Sequence, residues 1–186
     1  IEAYSDVNEL IRFTVSFIQE LIPFHQDEEN SDNRQIELAK QYIQEHFKEN
    51  LKLENVAEQI YLAPSYFGVL FKKEVGESFR CYLTSVRMEK AKDLLHDIRY
   101  NIAEIAGQVG YQDKRYFSRL FKEQVGKSPM AYIKELKLTT AARRLLVCNE
   151  TVSEIAYEVG YEDPNYFIRE FKSAFGYTPN QYRKAA

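Results

Sequence analysis

Arg119 and Arg169 stand fifty residues apart, each inside a segment that reads Tyr-Phe-x-Arg-x-Phe-Lys. A guanidinium presents its N–H donors in a fixed fork that matches O6 and N7 of guanine. An asparagine such as Asn165 makes the equivalent pair with adenine, and each good pair discriminates by about 1–3 kcal/mol. Around Arg119 the same helical face carries Lys114, Arg115, Ser118 and Lys122; around Arg169 it carries Asn165, Ile168 and Lys172. One such charge alone would read as solvated surface. Recurrence at one helical position in two segments points to contact with a DNA duplex.

These segments belong to a repeat. Phe67, Phe117 and Phe167 align at a step of 50 residues, as do Phe71, Phe121 and Phe171, then Gly76, Gly126 and Gly176, then Tyr82, Tyr132 and Tyr182. A fixed interval of this length marks one supersecondary unit used three times. Phe at i and i+4 forms one helical stripe, and Ala57, Ala106 or Ala156 opposite it permits close packing. The aromatic marks are therefore expected to be core rather than stacking platforms for bases.

The elements that position the polar face follow from helix start and stop signals. Thr151 with Glu154, and Asn101 with Glu104, form capping boxes that start short helices. Gly160 and Gly110 suit the left-handed residue that ends them. Asp163-Pro164 is a cap followed by a first-turn proline, and Asp113 opens the matching helix in copy two. Longer helices are expected to begin at Ser128-Pro129 and Thr178-Pro179. A helix, a glycine-bearing turn of about four residues and a second helix make a helix-turn-helix unit. The predicted fold is all-α: three tandem helix-turn-helix units joined by long linker helices, preceded by an amphipathic N-terminal helix over residues 5–22. A further amphipathic helix is expected over Ile36 to Phe47. The expected divisions are 1–35 for an acidic connector helix and linker, 36–96 and 97–146 for two units with their linker helices, and 147–186 for the third.

The chain has 186 residues, 45% hydrophobic and 28% charged, as befits a soluble globular protein. Its net charge of -3 is unevenly spread. Residues 1–35 hold eight acids against two bases, whereas the remaining 151 hold 23 bases against 20 acids. The repeat body is thus mildly basic, which leaves a polyanionic partner open. Cys81 and Cys148 have no metal-ligand spacing, and His25, His46 and His96 are scattered. No nucleophile signature or phosphate-cradling glycine loop is visible, so neither an enzyme nor a cofactor is expected. No apolar run approaches the ~20 residues that span a bilayer, no signal peptide is visible, and a reducing cytoplasm suits the free thiols. A chain that opens on Ile1 rather than Met reads as part of something longer.

In copies two and three, Ile-Ala, Gly-Tyr, Tyr-Phe-x-Arg-x-Phe-Lys, Gly, Ser/Thr-Pro and Tyr recur at fixed spacing. This pattern resembles the DNA-binding region of AraC/XylS-type transcription regulators, over residues 36–183. Leu53 to Leu95, with Val-Arg-Met-Glu-Lys-Ala-Lys-Asp-Leu-Leu from Val86, is similar to the first half of that region and its linker helix. The acidic N-terminal helix resembles the connector of YesN-type response regulators. The resemblance implies two helix-turn-helix units on one long helix, with recognition helices in successive major grooves of double-stranded DNA; this chain departs from it in carrying three. The groove-facing positions it implies are Pro64, Ser65, Gly68 and Val69 in copy one, Lys114, Arg115, Ser118 and Arg119 in copy two, and Pro164, Asn165, Ile168 and Arg169 in copy three.

Copy one differs at the positions that matter most. Val69 replaces the arginine, Gly68 replaces Ser118 and Ile168, and Ala63 replaces the capping aspartate. Valine can touch a thymine methyl but donates no hydrogen bond. Copies two and three are therefore expected to dominate sequence reading, with copy one positioning the protein through phosphates. In the alternative reading one unit, most plausibly the first, docks RNA polymerase or a partner subunit. Phosphate contacts are expected from Lys72, Lys122, Lys172, Lys90, Lys92, Lys127, Arg143 and Arg144, and from the amides at Ser128 and Thr178. The N-terminal helix, or a segment upstream of it, offers a route to a homodimer.

Overall fold

A computed structural model describes residues 31–97 and 100–185, together with Ile11 and Thr14. The described chain is all-α. Its helices are α1 (31–46), α2 (Leu53–Gln59), α3 (Pro64–Val75), α4 (Phe79–Leu95), α5 (Ile102–Gln108), α6 (Lys114–Val125), α7 (Pro129–Val147), α8 (Val152–Glu158), α9 (Pro164–Phe175) and α10 (Pro179–Ala185). The pairs α2/α3, α5/α6 and α8/α9 are the three predicted helix-turn-helix units, and α4 and α7 are the long helices between them. The predicted N-terminal helix over 5–22 lies outside the described residues except for Ile11 and Thr14, both helical. Helix α1 is already formed at residue 31, five residues before the apolar periodicity begins. The polar residues of that extra turn leave no hydrophobic mark in the sequence.

The chain divides into two compact units, Ile1–Thr84 and Ser85–Ala186. In the first, α1 buries Ile36, Ala39 and Ile43, α2 buries Val56 and Ala57, and α3 buries Phe67, Leu70 and Phe71. The opening turns of α4 close this core, with Tyr82 edge-on to Phe71 at 5.4 Å between ring centroids.

In the second unit the same construction appears twice. Phe117 and Phe121 are fully buried, and Tyr132 of α7 meets Phe121 edge-on at 5.6 Å. The third copy packs Leu138, Ala141, Ala142 and Leu145 of α7 against Ile155, Ala156 and Val159 of α8 and Phe167 and Phe171 of α9. Tyr182 of α10 closes it, 5.4 Å from Phe171. The aromatic stripes are core, as their spacing predicted, and truncating one such phenylalanine to alanine costs about 3–5 kcal/mol.

The buried stripes reveal a role for α1 that the 50-residue marks do not announce. Ile36, Ala39 and Ile43 have the spacing of Met88, Ala91 and Leu95 in α4 and of Leu138, Ala141 and Leu145 in α7, and all nine are buried. Helix α1 is thus the supporting helix of copy one, as α4 is for copy two and α7 for copy three.

Candidate nucleic-acid interface

The second helix of each unit is set by its cap. Asp113 accepts hydrogen bonds from the backbone N–H of Arg115 and Tyr116 at 2.7 and 3.1 Å, and Asp163 accepts one from Asn165 at 2.8 Å. The N–H groups of Tyr116 and then Arg115 hold the Asp113 carboxyl below the ordinary carboxylate range. Helix α3 begins at Pro64, and Ala63 before it offers no side-chain cap. The capping boxes of α5 and α8 form as expected, through Asn101 with Glu104 and Thr151 with Glu154.

The turns differ in a way the interval conceals. In copies two and three five residues separate the paired helices, and Gly110 and Gly160 take φ of 85° and 80°. In copy one four residues separate them, and Tyr61 takes the left-handed position with φ 56°. The N–H of Leu62 donates to Ala57 O at 2.9 Å, the bond that Tyr111 makes to Ala106 at 2.8 Å and Tyr161 to Ala156 at 2.9 Å. Leu62 is therefore the structural counterpart of Tyr111 and Tyr161. Tyr61, a residue type disfavoured there by its Cβ, stands where the other copies use glycine.

The exposed faces of α6 and α9 hold most of the candidate residues. Lys114, Arg115, Arg119 and Lys122 on α6, and Asn165, Arg169 and Lys172 on α9, are exposed; Ser118 and Pro164 are half-buried. Ile168 is half-buried against the core of its own copy. The Arg119 guanidinium carbon lies 5.3 Å from the ring centroid of Tyr116, and that of Arg169 lies 5.8 Å from Tyr166. Arg119 is also 3.9 Å from Glu123. Each tyrosine stands three residues before its arginine, a spacing that makes the two neighbours on one helical face.

On α3, Pro64, Ser65, Val69 and Lys72 are exposed, Val69 at 71%. Gly68 is half-buried beside α2, where a methyl group would sit 3.4 Å from Leu53 Cδ1. That is ordinary van der Waals contact, so the site has room for a larger residue, and glycine at this helix-interior position costs about 1 kcal/mol relative to alanine. The Tyr66 hydroxyl donates to the Asp32 carboxylate of α1 at 3.1 Å.

Among the residues expected at phosphates, Lys90 and Arg143 are exposed. Lys92 pairs with Glu89 at 2.6 Å, and Lys127 pairs with Glu135. Arg144 is held within the fold by Glu150 at 2.7 Å and by Glu158, the Glu150 bond foremost in raising its pKa. Lys134 of α7 pairs with Glu170 of α9, which raises its pKa, and Lys137 donates to Gly160 O at 2.7 Å. Arg183 donates to the carbonyls of Leu145 and Glu150 at 3.2 and 2.6 Å. These contacts fasten α7 to copy three. No helix among the described residues is long and apolar enough to cross a membrane.

Three helix pairs, each with its second helix presenting an exposed face, define a tandem helix-turn-helix protein. The family described as "Helix-turn-helix domain" matches residues 56–129 and again 114–185. The chain belongs to this family, and within it to the AraC/XylS type. Helix α6 falls within both matches. The regulatory protein PocR of Salmonella typhimurium is 41% identical over 73 residues, 39% of this chain and 24% of that protein. The C-terminal domain of AraT, a response regulator from Geobacillus stearothermophilus, is 45% identical with a TM-score of 0.51, over 53% of this chain and 82% of that one. The DNA-binding domain of AdpA, a global transcriptional factor solved in complex with a target DNA, is 27% identical with a TM-score of 0.50, over 52% of this chain and 87% of that one. The chain spans about a quarter of the length of PocR.

Proposed function

We propose that the chain is the sequence-specific DNA-binding output region of a transcription regulator, with its recognition helices α3, α6 and α9 directed to successive major grooves. The observation that carries this reading is the matched placement of Arg119 and Arg169, exposed at one position of two helices with the same cap, turn and core. Each exposed guanidinium can meet a guanine edge, and Asn165 an adenine edge. The exposed Lys122 and Lys172 supply phosphate contacts whose worth falls with salt. The DNA held by the AdpA domain in its complex supports the same partner for this chain. In binding titrations against a site selected from random duplex DNA, Arg119→Ala and Arg169→Ala each weaken specific binding by about 1–3 kcal/mol, and Val69→Ala does far less. Equal losses from the Val69 and arginine variants would overturn this ranking of the copies.

The exposed Val69 favours a second role for copy one. Its outward face offers Pro64, Ser65 and Val69 with Lys72 as its cation, a surface suited to docking RNA polymerase or a partner subunit while α6 and α9 hold DNA.

A further inference from the structure

Behind each recognition arginine runs a chain of aromatic and cationic contacts. In copy two, Arg87 of α4 lies 5.0 Å from the ring centroid of Tyr111, Tyr111 lies 5.8 Å from Tyr116, and Tyr116 lies 5.3 Å from the Arg119 guanidinium. In copy three, Lys137 of α7 lies 5.5 Å from Tyr161, Tyr161 lies 6.0 Å from Tyr166, and Tyr166 lies 5.8 Å from the Arg169 guanidinium. All four positions step by fifty residues. The inner end of each chain is anchored: Arg87 is a buried cation, and Lys137 donates to Gly160 O at 2.7 Å.

Copy one breaks the array at several points together. The buried stripes place Gln35 where Arg87 and Lys137 stand, Leu62 replaces the inner tyrosine, and Val69 replaces the arginine. Tyr66 remains, with its hydroxyl turned to Asp32. Cation, inner ring and arginine are present together or absent together.

We infer that Tyr116 and Tyr166, backed by Tyr111 with Arg87 and by Tyr161 with Lys137, are positioning residues that fix the recognition arginines and so determine base discrimination. A free arginine must give up much of its rotamer freedom when it grips a base, whereas one held over an aromatic face has surrendered part of it beforehand. Glu123 contacts Arg119 but has Ser173 at the matching position of copy three, so the tyrosine ring is the support that both copies share.

This inference rests on the reading of Arg119 and Arg169 as base readers, and the test separates the two. Affinities of the chain for a set of duplexes, each varied at one base pair of the selected site, are measured for Tyr116→Leu, Tyr116→Phe, Arg119→Ala and the Tyr116→Leu/Arg119→Ala double variant, with Tyr166→Leu and Arg169→Ala as an independent series. Thermal melting verifies folding. Tyr116→Leu is expected to reduce base preference about two- to fivefold at the base pairs that Arg119→Ala affects, with nonspecific binding unchanged. Tyr116→Phe keeps the preference, and the double variant is no worse than Arg119→Ala. Intact preference in Tyr116→Leu and Tyr166→Leu, beside lost preference in the arginine variants, would overturn the positioning role alone. Unchanged preference in the arginine variants would overturn both readings.

Discussion

Tyr61 shows how one residue can carry the strain of a shortened turn. It is 94% exposed, so its side chain contributes almost nothing to the core, yet its backbone sits in the left-handed region at φ 56°. An L-residue with a Cβ is penalised there by about 1–2 kcal/mol, and glycine is not, although glycine loses more chain entropy on folding. Tyr61→Gly should therefore raise stability by about 1 kcal/mol, read as a higher urea midpoint with an unchanged slope. A lower midpoint would mean that the tyrosine ring makes a contact worth more than its backbone strain. Copy one differs again on α3, where Gly68 stands for Ser118 and Ile168 and Val69 occupies the arginine position. Copy one therefore keeps the phenylalanine core of the unit but differs at the inner tyrosine position and on its outward face.

At the scale of elements, the caps separate the copies as clearly as the arginines do. Helices α6 and α9 have aspartate caps and α3 has none. Ala63→Asp should stabilise copy one by about 0.5–2 kcal/mol, measured by chemical denaturation. The gain should depend on pH in a defined direction. A capping carboxylate has a folded pKa below its unfolded value of about 3.9, as the bonds to Asp113 illustrate, so the gain is present above that value and fades as pH falls through the lower one. A gain that persisted in strong acid would point to something other than the cap. The caps, the all-α class, the pairing of helices and the burial of Phe67, Phe117 and Phe167 were legible because each follows from residue type and short-range spacing. The supporting role of α1 was not, because Ile36, Ala39 and Ile43 lie 52 residues before their counterparts in α4 and carry no aromatic mark. The shortened turn of copy one was hidden as well, since the conserved step of 50 runs through the second helices and the missing residue precedes them. The contact between Tyr111 and Tyr116 needed a distance across the turn before α6, which spacing along one helix does not give.

For the whole molecule, the number of units engaged fixes the length of DNA covered. Major grooves recur on one face of the duplex about every 10 bp, so three engaged copies protect about 30 bp and two protect about 20 bp. Footprinting on the selected site is expected to show the longer protection if copy one lies on the DNA; protection of 20 bp would assign copy one to a protein partner. Within the second unit, α7 joins copies two and three with 19 helical residues, about 28 Å at 1.5 Å each. That is shorter than the 34–36 Å between successive grooves, so seating α6 and α9 together favours DNA curved toward the protein. Helix α7 also does two jobs along its length: Tyr132 near its start completes the core of copy two, and Leu138 to Leu145 found that of copy three. Copies two and three thus overlap like roof tiles by part of one helix. An array built this way can lengthen only by whole increments inserted at equivalent points of such helices, and a cut made at a helix end, where a boundary would ordinarily be drawn, strips one copy of its cover or leaves a buried stripe bare.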